Sequence, residues 1–205
     1  KGFAYSDCWV EDARLVSLTA RDAAERGADI RTRAECVALE RGADCWNLEI
    51  RQNGAVTTEQ AKVLVNAAGP WVDPVTSMYD QRKNAAKLRL VKGSHIVVKR
   101  KYDGDHSYIF QNRDGRIIFA IPYEGDHTLI GTTDQPWSYA EGPAKISEGE
   151  IDYLCAAASE YFEEPVVRDD IVWTYSGVRP LFDDHSRTAA TVTRDFVFDY
   201  DNENG

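Results

Sequence analysis

The 205-residue chain has only four cysteines. Cys8, Cys36, Cys45 and Cys155 are dispersed, with no CxxC pair and no histidine close enough to complete a zinc pattern. A metal centre and a disulfide framework are therefore set aside, and reduced thiols in a cytosolic protein are expected. No apolar run approaches the ~18 residues of a membrane span, and no signal-peptide pattern opens the chain, so no transmembrane segment is expected. Positive charge is in deficit: 24 Lys and Arg stand against 34 Asp and Glu, for a net charge of −10 and a pI near 4.9. That argues against nucleic acid or an anionic membrane as the direct partner of this segment, although a local anion site needs only a few placed cations. Gly-x-Gly occurs nowhere, so the glycine fingerprint that seats a dinucleotide pyrophosphate is missing. Internal repeats and low-complexity segments are also absent.

What is present suffices for a core: 43% hydrophobic residues, with five Trp, ten Tyr and seven Phe. Residues 12–26 read as an amphipathic helix with Leu15, Val16, Thr19, Ala20 and Ala23 on one face, stopped by Gly27. Short strands are expected over 29–33, 35–40, 45–51 and 56–59, with Asn53-Gly54 as a two-residue hairpin turn. Residues 62–66 read as a buried-type strand, followed by a short helix over 71–79. Longer strands follow over 88–100, 107–111, 116–122 and 127–131, joined by glycine-containing turns, which suggests an antiparallel meander. Ser147 and Glu150 form a capping box that opens a helix to about Phe162, and strands over 171–178, 189–193 and 196–200 finish the chain. The expectation is an α+β protein, a large mostly antiparallel sheet with packed helices, in which 1–80 forms one lobe and 81–205 the sheet domain. The chain starts without Met and stops in a hydrophilic turn, which reads as a piece of a longer protein.

The most informative stretch is 169–181, DDIVWTYSGVRPL. A run of β-formers leads into Ser-Gly and then into an arginine before proline. Pro180 pushes Arg179 toward extended geometry, aiming its guanidinium in a fixed direction. Such a group binds a carboxylate or phosphate or steadies an oxyanion, and pairing with a nearby carboxylate is the commoner situation. Gly93 inside the strand 88–100 marks a bulge or a close backbone approach, and His95 beyond it is a candidate general base. Thr132 and Thr133 follow a strand end, where hydroxyls bind a substrate oxygen or cap a turn. Arg194 lies between two expected strands, a position more often filled by a surface ion pair. Ala68, Gly69 and Trp71 lie in a small-residue turn after a strand, which either lets a flat cofactor approach or merely links strand to helix.

Taken in order, KGFAYSDCWVEDARL, VNAAGPWV, LVKGSHIVV, IGTTD and DDIVWTYSGVRPL resemble the FAD-dependent glycerol-3-phosphate dehydrogenases over nearly the whole chain. The resemblance implies oxidation of sn-glycerol 3-phosphate at C2 to dihydroxyacetone phosphate, with a hydride passing to FAD and electrons going on to membrane quinone. It implies that 1–80 is part of an FAD-domain-like lobe and 81–205 a substrate domain. It further implies that Arg179 and His95 are catalytic, that Thr132 and Arg194 contact substrate, and that Ala68, Gly69 and Trp71 line the flavin. A cytoplasmic parent, peripheral at the inner face of the membrane, follows from the same resemblance, and a homodimer is compatible with it. Without the glycine fingerprint, this polypeptide alone is expected neither to hold FAD tightly nor to turn over substrate. The related glycerol-3-phosphate oxidase, which passes electrons to oxygen, and a non-catalytic binding module remain the alternatives.

Overall fold

The computed structural model describes residues 2–80, 88–183, 197–198 and 200. The chain divides into two compact units, 1–65 and 66–205.

The first unit holds helix α1 (Asp12–Glu25) and a three-stranded antiparallel sheet, β1 (Ala34–Arg41), β2 (Trp46–Gln52) and β3 (Ala55–Ala61), in that order. The Asn53-Gly54 turn joins β2 to β3 with φ of 51° and 81°, the left-handed pair that a two-residue hairpin requires. No residue of α1 is buried, and Leu15 and Val16 remain more than half exposed.

The second unit is built on a six-stranded antiparallel sheet. Its strands are β4 (Leu88–Lys99), β5 (Tyr108–Gln111), β6 (Ile117–Tyr123), β7 (His127–Gly131), β8 (Gln135–Pro136) and β9 (Ile171–Phe182). β5, β6 and β7 form the expected meander. β4 is the central strand, because β7 and then β8 pair with one of its edges while β9 runs the length of the other. Helix α2 (Val72–Tyr79) follows a 3-10 turn at Gly69–Trp71, and α3 (Glu148–Ser159) packs on the sheet. Side chains alternate along a strand, so β4 presents two different faces. Ile96 and Val98 point to α3 and pack with Ile118, Ile130, Leu154 and Ala158 in the core. Gly93 and His95 point the other way. Every core residue just named is fully buried, which marks this interface as the main source of hydrophobic stabilisation in the unit.

Several expected elements differ. Residues 29–33 form no strand but a turn leading into β1. Residues 62–66 lie beyond the last rung of the β2–β3 ladder and have no strand partner among the described residues. Val63 and Val65 are therefore exposed rather than buried. The strand expected over 171–178 runs on through Arg179 and Pro180 to Phe182, with Arg179 opposite Val91 and Pro180 opposite Leu90. β9 pairs only with β4 among the described strands, and a proline is tolerated on such an edge strand. The strands expected over 189–193 and 196–200 fall outside the described residues, apart from Val197, Phe198 and Tyr200.

Candidate active site

The register of β4 against β9 brings the two candidate catalytic side chains onto one sheet face. Arg179 is opposite Val91, Gly177 opposite Gly93, and Tyr175 opposite His95. By strand alternation all six project to the side away from α3. Gly93 neither interrupts nor bulges β4; it provides clearance. A Cβ there would sit 2.6 Å from both Arg179 Cζ and Thr132 Oγ1, and closer still to Arg179 Nη2. Gly131, opposite His95 on β7, plays the same part for the imidazole, since its Cβ would lie 2.7 Å from His95 Cγ and 2.8 Å from Nε2. Each candidate catalytic side chain thus lies over a glycine.

Arg179 is held by three consecutive residues. Its Nη2 donates to Thr132 Oγ1 at 2.7 Å, and its Nη1 donates to Asp134 Oδ1 at 2.7 Å and to the Thr133 carbonyl at 3.3 Å. The carboxylate pairing that is common for such an arginine is therefore present, in Asp134, and it fixes the direction of the guanidinium. Both partners of that pair keep about a third of their side-chain surface in solvent. A preset, solvent-accessible guanidinium can still receive an anion or a developing alkoxide.

His95 stacks on Tyr175 with ring centroids 4.8 Å apart and planes at 10°. Burial, and secondarily the nearby charge of Arg179, pull its pKa down from 6.5 to about 4. The ring is thus neutral at neutral pH and free of a proton on one nitrogen. Its Nδ1 is buried and makes no hydrogen bond to any described residue. Thr132 donates its own proton to the Thr133 carbonyl at 3.2 Å while accepting from Arg179. It stands at the site as a support for the guanidinium, with one lone pair left for a ligand.

Ala68, Gly69 and Trp71 lie in the same unit, at the 3-10 turn that packs next to β9. Asn66 ties the turn down, accepting from the Ala68 N–H and donating to the Val72 carbonyl. Tyr139, just beyond β8, donates to the Pro70 carbonyl. The backbone at Gly69 has φ of 56°, and a Cβ added there would meet nothing within 4 Å. Trp71 is largely exposed. These residues fit a flat ring system approaching the main chain, as FAD would. Arg194 lies outside the described residues.

Beneath the site, on the α3 side, is a buried polar group that the sequence reading assigned only to helix capping. Glu150 Oε1 accepts from Thr133 Oγ1 at 2.6 Å and from Ser94 Oγ at 2.8 Å. Its Oε2 accepts from Lys92 Nζ at 2.9 Å, from the Ser147 N–H at 2.8 Å and from Ser147 Oγ at 2.9 Å. Burial alone would push this carboxyl up; the bonds from Thr133, Lys92, Ser147 and Ser94 outweigh it and bring the pKa to about 2. Asp134 and Gly131 were likewise not singled out from sequence. No local signal marks either, because Gly131 meets His95 only through the register of β7 against β4 and Asp134 meets Arg179 45 residues away. Among the described residues no group of three or more His, Cys, Asp or Glu side chains could hold a metal ion.

Residues 1–202 match the family described as FAD dependent oxidoreductase. The chain is 47% identical over 207 residues to the D-erythritol 1-phosphate dehydrogenase of Brucella abortus, covering all of this chain and 41% of that protein. It is 45% identical over 208 residues to the glycerol-3-phosphate dehydrogenase of Pseudomonas tolaasii, again covering all of this chain and 40% of the relative. Its fold superposes on the X-ray structure of the glycerol-3-phosphate dehydrogenase from Bacillus halodurans complexed with FAD. The TM-score is 0.75 at 31% identity, over 85% of this chain and 36% of that one. The chain thus spans about two fifths of the length of the curated relatives it matches.

Proposed function

The chain belongs to the FAD dependent oxidoreductase family, and on that premise we propose that it forms the substrate-binding part of a dehydrogenase for sn-glycerol 3-phosphate. The product is dihydroxyacetone phosphate. The observation that carries this reading is the pairing of a preset guanidinium with a neutral imidazole on one sheet face, each seated over a glycine. Oxidising a secondary alcohol removes a proton from oxygen and a hydride from carbon. His95, unprotonated at neutral pH, accepts the hydroxyl proton. Arg179 stabilises the negative charge that grows on the same oxygen, and its three hydrogen bonds spare it reorganisation as that charge appears. FAD would supply the hydride acceptor when bound, and Ala68, Gly69 and Trp71 would hold it. Thr132 offers a further contact to the substrate, and Arg194 a cation for its phosphate. In this reading residues 1–80 belong to an FAD-domain-like lobe and 81–205 to the substrate domain, and a membrane quinone takes the electrons from a peripheral, cytoplasmic enzyme. No helix among the described residues is long and apolar enough to cross a membrane.

The identity to the Brucella protein favours a second reading, in which the substrate is a four-carbon polyol phosphate. The chemistry at the reacting carbon is the same, and chain length separates the two. Dye-coupled kcat/KM of the full-length, FAD-loaded protein for glycerol 3-phosphate and for D-erythritol 1-phosphate decides between them. A higher value for glycerol 3-phosphate supports the first reading, and oxidation of neither rejects both. Quinone reduction against peroxide release in the same assay separates dehydrogenase from oxidase.

A further inference from the structure

Glu150 occupies the third position of α3, where a capping-box glutamate needs only one of its oxygens. That duty falls to Oε2, through Ser147. The other oxygen reaches away from the helix into the sheet, to Ser94 on β4 and to Thr133 just past β7. Ser94, Thr133 and Glu150 are all buried. Ser94 in turn meets Ser176 of β9 at 2.8 Å, and the Ser94 N–H donates to Thr133 Oγ1 at 3.0 Å. All five groups bound to the carboxylate donate, so only an ionised acid, which purely accepts, satisfies them.

Thr133 is the hinge of the arrangement. Its side chain is held by Glu150 on the α3 side of the sheet, and its carbonyl accepts from Arg179 on the opposite side. The other two acceptors of Arg179 are its neighbours Thr132 and Asp134. Among the described residues, every hydrogen-bond partner of the guanidinium thus sits on a tripeptide whose one buried side chain is Thr133. Ser94 and Ser176, two further side chains in the network, each immediately precede or follow a site rung, beside His95 and Tyr175.

We propose that Glu150 is a positioning residue for the oxidation: through the Thr133 hydroxyl it fixes residues 132–134, and through them the direction of the Arg179 guanidinium. The proposal rests on the functional reading above and adds to it a residue on the far side of the sheet that touches neither substrate nor cofactor. Its two duties are separable. Ser147→Ala removes the hydroxyl half of the helix cap and leaves the Thr133 anchor; Thr133→Val keeps the cap, the shape and the carbonyl, and removes the anchor together with the acceptor of the Ser94 N–H.

Both variants are made in the full-length, FAD-loaded protein. Ser147→Ala is expected to lower Tm and to leave kcat within about twofold of wild type. Thr133→Val is expected to lower kcat about tenfold or more, with the loss of the charge-assisted bond to Glu150 and of the bond from the Ser94 N–H, and with a smaller change in KM. A second readout needs no substrate: 15N NMR of the Arg179 guanidinium, identified by its absence in Arg179→Ala. Restricted rotation in wild type and Ser147→Ala, with averaged signals in Thr133→Val, supports the anchor. The proposal is overturned if Thr133→Val keeps a restricted guanidinium and wild-type kcat, or if kcat falls equally in both variants. Should wild type oxidise no glycerol 3-phosphate, the functional reading fails alone, and the guanidinium signals still judge the anchor.

Discussion

Replacing Gly93 by alanine should disable the site while leaving the fold intact. The added Cβ would stand 2.6 Å from Arg179 Cζ and 2.6 Å from Thr132 Oγ1. Carbon contacts relax only beyond about 3.5 Å, so the guanidinium must withdraw by roughly 1 Å. Its bonds to Thr132 and Asp134, both 2.7 Å long, would then stretch past the limit of a useful hydrogen bond. The atoms that must give most belong to the end of a long flexible side chain, so little of the clash with Arg179 reaches the backbone. Alanine also restricts the unfolded chain, an effect that favours the fold by about 0.4–1 kcal/mol. Stability should therefore stay within about 1 kcal/mol of wild type, whereas a 1 Å displacement of a catalytic group costs on the order of 10²-fold in rate. The assay is dye-coupled kcat/KM of the full-length, FAD-loaded protein, read beside a thermal melt. An Arg179→Ala background supplies the internal control, because there Gly93→Ala has only the Thr132 hydroxyl left to displace. The reasoning fails if Gly93→Ala alone keeps activity within threefold of wild type. It also fails if the alanine costs as much without Arg179 as with it.

Gly177 should behave differently: a Cβ there meets no described atom within 4 Å, so Gly177→Ala is expected to raise Tm slightly, by restricting the unfolded chain, and to raise KM by intruding on the bound substrate, and an unchanged KM would place the substrate elsewhere. For pH, His95 titrates near 4 in the fold against 6.5 unfolded, so the unfolded chain takes up the proton first. Stability tied to the neutral ring is complete above pH 6.5 and is lost as pH falls through 4, by about 3 kcal/mol, and His95→Gln should flatten that limb of a denaturation series. The acid limb of kcat/KM should lie near the same value and move up in Arg179→Ala, which removes the second cause of the shift; a limb near 6.5 in wild type contradicts the assignment of His95 as base. Leu154, fully buried between α3 and the sheet, should cost about 2–5 kcal/mol on truncation to alanine in chemical denaturation, and a loss below 1 kcal/mol would mean that this interface is not the core.

Local chemistry made much of this fold legible. The strand over 127–131, the Asn53-Gly54 turn and the Ser147–Glu150 capping box follow from residues within a few positions of one another. What stayed hidden depends on register. Nothing near Gly131 in sequence says that it lies under His95, and nothing near Asp134 says that Arg179, 45 residues on, will pair with it. Glu150 was read through the bond it makes three residues away; its bonds to Ser94 and Thr133 span 56 and 17 residues. The same limit misread the end of β9, because whether a strand survives a proline depends on which edge is paired.

Register also explains why KGSH and TYSGVR had to be read together. Aligned antiparallel, they place Gly93 beside Gly177, a rung with no side chain on either strand, between the Val91–Arg179 rung and the His95–Tyr175 rung. The guanidinium fills the space over Gly93, whereas no described atom comes within 4 Å of a Cβ at Gly177. A bare, open position on a sheet, bordered by a cation and a neutral imidazole, has no packing purpose: a larger residue would bury more apolar surface and favour the strand. Its cost in stability fits a ligand lying across it. That turns two separate glycines, each ambiguous alone, into one argument for where substrate sits.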